Sequence, residues 1–101
     1  MDGRGSISTD ILARYAGDAA REVTGVRGLV ESHLHRHRGV RVLEDDGAVR
    51  IEVHVEADWG ASLPDVGREV QQRVRDYLGR MAEVEPEAVD VVVDDVGPVE
   101  A

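Results

Sequence analysis

Cysteine is absent from this chain of 101 residues. Its absence excludes disulfides, thiolate nucleophiles and cysteine-based zinc sites. Phenylalanine and lysine are missing too, so all 12 basic residues are arginine. Aromatic side chains are scarce, limited to Tyr15, Trp59 and Tyr77, which leaves few platforms for stacking nucleic-acid bases. No apolar run approaches the roughly 20 residues that span a bilayer. The opening stretch, MDGRGSISTD, lacks the apolar core of a signal peptide. The expectation is a cytoplasmic protein with no direct membrane insertion. Positive charge is also in deficit: 21 acidic residues against 12 arginines give a net charge of −9. Such a surface repels phosphate backbones, so nucleic acid is excluded as a partner of the whole molecule.

The length suits one domain. Residues 1–6 are polar and expected to be disordered, residues 7–96 form the domain, and residues 97–101 are a tail. Within the domain the most informative stretch is Val49 to Gln72. Val49, Ile51, Val53, Val55 and Ala57 alternate with Arg50, Glu52, His54, Glu56 and Asp58. That period of two predicts a strand with one apolar and one polar side.

Ser8 or Thr9 caps a first helix, with Ile11, Leu12, Tyr15, Ala16, Ala19 and Val23 as its apolar stripe and Gly25 as its C′ residue. Val26 to Val30 reads as an edge strand and residues 31–39 as a loop. Val40 to Leu43 reads as a strand, followed by the hairpin signal Asp45-Asp46-Gly47. Ser62 and Asp65 suggest a capping box, with Pro64 in the first turn of a second helix. Its stripe is Leu63, Val66, Val70, Val74, Tyr77, Leu78 and Met81, and Gly67 is placed to let the helix pack closely on the sheet. Ala88 to Val96 reads as the last strand. The order is α-β-β-β-α-β.

Chemical signals are weak. His33, His35 and His37 would line one side of an extended segment and offer nitrogen ligands to a metal. No carboxylate in that run completes the set, and Arg36 and Arg38 stand between and beside them. The solvated-loop reading is preferred. Arg36, Arg38 and Arg41 form the basic cluster, suited to anionic headgroups or a partner's carboxylates. The paired carboxylates at Asp45-Asp46, Glu83/Glu85/Glu87 and Asp94-Asp95 fall at turns or ends, where water solvates both members. General acid–base work needs a cleft that drives two such groups apart. No serine lies in a nucleophile motif. What remains is the polar strand side, Arg50, Glu52, His54 and Glu56, followed by Trp59. Two helices can be covered by one sheet face, which leaves the other face open for contacts. Trp59 is read first as a buried or half-buried structural residue and second as part of that surface.

Three segments resemble the alkaline shock protein family, also called the Gls-type general or envelope stress response family. They are ISTDILARYAGDAAREVTGVRGL, VRIEVHVEADWGASLPDVGREVQQRV and AVDVVVDDV, in the family's order across residues 7–96. Trp59 stands where the family pattern has tyrosine, and the His- and Arg-rich segment 31–39 replaces a Gly-rich loop. The resemblance implies a non-enzymatic protein of Gram-positive bacteria without cofactors or an active site. It implies a cytoplasmic, membrane-proximal protein–protein interaction module, held by a small membrane-anchor protein and able to self-associate.

The resulting expectation is an α/β, two-layer fold: a mixed four-stranded sheet with both helices on one face. The hairpin is antiparallel, and the last two strands are parallel and joined by a right-handed crossover. The function expected is envelope or general stress response through protein contacts at Arg50, Glu52, His54, Glu56 and Trp59. The alternative is a metal- or ligand-binding domain using the loop at residues 33–37, with an enzyme third.

Overall fold

The computed structural model describes residues 8–30 and 39–97. The expectations for residues 1–6 and for His33, His35 and His37 lie outside the described residues.

Helix α1 spans Thr9–Arg21. Ser8 adopts extended geometry ahead of it, and its Oγ accepts the Ile11 N–H at 3.2 Å. The buried face comprises Leu12, Ala13, Ala16, Ala19 and Ala20, whereas Ile11 is 40% exposed. Burial of Ala13 and Ala20 rotates the inward face away from Ile11, which corrects its place in the stripe. The helix also closes before Gly25, as the Glu22 N–H returns to the carbonyls of Ala19 and Ala20. Gly25 serves the following turn instead. Its φ is +101°, and a Cβ there would stand 2.8 Å from Val66 Cγ2.

Strand β1 is Val26–Leu29, β2 is Val40–Asp45 and β3 is Ala48–Asp58. The β2–β3 turn has Asp46 at φ 53° and Gly47 at φ 82°. Two positive φ angles match the twist of a tight hairpin, and Asp45 pairs with Ala48.

Helix α2 spans Leu63–Ala82, with Pro64 in its first turn. Val66, Val70, Val74 and Leu78 are buried, one row at a spacing of four. Leu63 and Met81, at the ends of that row, are 39% and 47% exposed, so the stripe is shorter than the sequence suggests. Ser62 occupies the N-cap position, but its side chain makes no cap hydrogen bond. Asp65 pairs with Arg68, so the expected capping box is not formed. Gly67 has open space where a Cβ would stand, so it does not serve close packing on the sheet. Tyr15 and Tyr77 meet edge-to-face at 5.6 Å and join the two helices.

Strand β4, Ala88–Gly97, completes a mixed four-stranded sheet with both helices packed on one face. Gly97 belongs to this strand and not to a tail. A side chain there would strike Arg27 and Glu56, at 2.5 and 2.7 Å. β3 is the central strand. On one edge it pairs antiparallel with β1 through residues 55–57 and with β2 through residues 48–53, the two lying end to end. On the other edge it pairs parallel with β4. Ile51, Val53, Val55 and Ala57 are wholly buried against the helices.

Candidate interaction surface

The buried face of β3 fixes the other face by alternation. Arg50, Glu52, His54, Glu56 and Asp58 therefore stand together on the side away from both helices. Neighbouring strands add Arg41 and Leu43 from β2, Arg27 from β1, and Asp90 and Val92 from β4. The result is a ladder of cross-strand ion pairs. Arg41 reaches Glu52 at 3.7 Å, Arg27 reaches Glu56 at 3.7 Å and Arg50 reaches Asp90 at 3.6 Å. These pairs are half or more exposed on at least one partner or share a third each with water, so each contributes little to stability.

His54 sits at the centre. Its Nδ1 lies 2.7 Å from Asp94 Oδ2, and its Nε2 lies 3.4 Å from Glu52 Oε1. The shorter contact is a ring N–H donating to a carboxylate. The His54 side chain is only 12% exposed. Its backbone is equally engaged: the N–H donates to Gly39 and the carbonyl accepts from Val30, both at 2.9 Å. Val30 and Gly39 are therefore both tied to His54.

Sequence reasoning missed Asp94 as the partner of His54. A β-bulge explains it. Val55 pairs with Val93 but Glu56 pairs with Asp95, so Asp94 is an extra residue in β4. The signal was present: Val89, Val91 and Val93 recur every second residue, and the next inward residue is Val96, three further on. A break from two to three in an alternating strand marks an inserted residue.

Trp59 is 66% exposed, which overturns its reading as a buried or half-buried structural residue. Its backbone N–H extends the ladder by donating to the Gly97 carbonyl at 2.8 Å. The chain then turns, with the Ala61 N–H bonding back to Asp58 and Gly60 at φ +90°. The indole stands at the corner of that turn, past the end of both sheet and helix.

Asp45-Asp46, Glu83/Glu85/Glu87 and Asp94-Asp95 are all exposed, as their positions at turns and ends imply. Among the described residues no three His, Asp or Glu side chains are arranged to hold a metal ion. No helix among them is long and apolar enough to cross a membrane.

Known proteins resemble this chain in sequence and in fold. The model of the alkaline shock protein family, described as of cell envelope-related function, matches residues 1–98. The uncharacterized protein YqhY of Bacillus subtilis is 31% identical over 100 residues, covering 88% of this chain and 73% of YqhY. The uncharacterized protein Spy1614 of Streptococcus pyogenes is 25% identical over 107 residues, covering 94% of this chain and 88% of its own. Among solved structures, the MamM CTD superposes with a TM-score of 0.58 at 15% identity, covering 87% of this chain and 99% of that one. A manganese form of a MamM CTD variant gives 0.56 at 17% identity, covering 87% and 99%. At such identities the likeness speaks for the fold alone. Two independent readings, the motifs in order and the family match across residues 1–98, thus converge: the chain belongs to the alkaline shock protein family, whose function is cell envelope-related.

Proposed function

We infer that this protein is a non-enzymatic envelope stress protein that works by binding other proteins, with the open sheet face as its contact surface. The observation that carries the reading is the pairing of a two-layer fold with an uncovered third side. Arg50, Glu52, His54 and Glu56 form an ordered, ion-paired patch there, and the largest side chain of the molecule, Trp59, stands 66% exposed at its end. Tryptophan is enriched among the anchors of protein interfaces, where its large ring is desolvated on binding. The partner is a cytoplasmic segment of a membrane-anchored protein, which would bring this chain to the envelope although no helix among its described residues spans a membrane. Self-association is a second contact of the same module.

The test is capture from membrane extracts with tagged wild type and Trp59→Ala. The variant keeps its fold by circular dichroism, because the indole contributes little to the core, and loses the membrane partner. A folded variant that retains every partner and the same assembly size would move the interface away from this face.

A further inference from the structure

The two edges of the sheet differ. One is broken into short pieces, β1 of 4 residues and β2 of 6, while β4 runs unbroken in sequence for 10 residues. Among the described residues only β3 pairs with β4. The Glu87 N–H donates to the Val49 carbonyl, and the register holds from Ala88 through Val93. Parallel ladders use alternate residues. Even residues of β3 bond toward β1 and β2, as His54 does to Val30 and Gly39, so its odd residues bond to β4. In the observed register Ala88, Asp90 and Val92 therefore direct their backbone groups at β3. Val89, Val91 and Val93 direct theirs at the free edge, where Gln71 Nε2 already donates to the Val89 carbonyl at 3.0 Å. Side chains along that edge are incompletely covered. Val91, Val92 and Val93 are all half-buried, whereas Val53 and Val55 on β3 are wholly buried.

Charge selects what can pair there. From Glu83 to Gly97 the sequence carries Glu83, Glu85, Glu87, Asp90, Asp94 and Asp95 and no basic residue. All six are exposed. Two copies meeting edge to edge would set aspartates against each other, and acidic side chains with a bulge are devices that keep edges from self-pairing. The same acids favour a strand of opposite charge.

We propose that the free edge of β4 accepts an added strand from a partner protein, an extended segment with arginine or lysine alternating with β-branched residues. This deepens the reading of the protein as a contact module and rests on it. Residues Ala88 to Val93, ahead of the bulge, form the template. Backbone bonds to Val91 and Val93 give the pairing, and cover for the half-buried valines gives the apolar gain. Basic side chains meet Glu87, Asp90 and Asp94.

The experiment titrates the whole chain with a synthetic peptide of alternating Arg and Val, and with its Glu-Val counterpart, reading amide hydrogen exchange residue by residue. Binding of the basic peptide alone, with new protection of the Val91 and Val93 amides, is expected. Asp90→Arg weakens it by about tenfold as an attractive pair becomes a repulsive one. Val91→Pro abolishes it by removing an edge donor. Should the proline variant misfold, the arginine variant alone decides. Binding that perturbs Glu52, Glu56 and Trp59 but leaves the β4 amides unprotected overturns strand addition and leaves the sheet-face reading intact. Protection of Val91 and Val93 without peptide, in step with dimer formation, gives the edge to a second copy and overturns it too. Absence of binding by either peptide overturns it as well.

Discussion

His54 shows how much one side chain can organise on a surface. Glu52 faces it from its own strand, Asp94 from β4, and Arg41 of β2 reaches it through Glu52. The 2.7 Å contact with Asp94 spans a bulge, so it fixes the bulged residue as well as the ring. A hydrogen bond to a charged group contributes roughly 1.5–3 kcal/mol, toward the lower figure where one partner is a third exposed. His54→Ala should therefore lower stability by about 1–2 kcal/mol in urea unfolding, and Asp94→Ala by a similar amount. The two act on one contact, so the double variant should cost less than the sum of the singles by at least about 0.5 kcal/mol. Strict additivity would mean that the contact contributes nothing to folding.

Among the elements, α2 depends most plainly on burial. Val66, Val70, Val74 and Leu78 form its inward row, and Val70 is wholly buried. Val70→Asp places a carboxylate among Val53, Val55 and their neighbours, and should cost roughly 2–5 kcal/mol. That is a large share of the stability of a small domain, about 5–15 kcal/mol. A denaturant midpoint unchanged from wild type would show that this face is not core. The row could be read from the sequence because burial imposes a period on apolar residues, and the alternation of β3 and the Asp46-Gly47 turn were legible for the same kind of reason. Features settled by competing local contacts or by strand registers were not. Ser62 has the residue type of a cap, yet Asp65 is drawn to Arg68, and residue type alone does not decide between them. Trp59 has the composition of a core residue, yet the turn at Gly60 leaves it outside. The surface residues on β3 followed from alternation, whereas Asp94, Arg27 and Asp90 joined them only through pairing registers.

At the scale of the whole molecule, charge is unevenly divided between the layers. Helix α1 carries Asp10 and Asp18 against Arg14 and Arg21, which cancel, and α2 carries four arginines against three acids. The segment Glu83–Gly97 alone holds six of the 21 acidic residues with no arginine to offset them. A copy meeting another copy brings together two chains of net charge −9, and the repulsion opposes assembly. A basic strand meeting the β4 edge experiences attraction. Salt acts oppositely on the two contacts, because the screening length falls from about 30 Å at about 0.01 M to about 3 Å at about 1 M. Light scattering should show assembly size constant or rising with added sodium chloride, while affinity for the Arg-Val peptide falls. Assembly that dissolves as salt is raised would show instead that the acidic edge of one copy docks on arginines of the next, and Asp90→Arg would then break both contacts together.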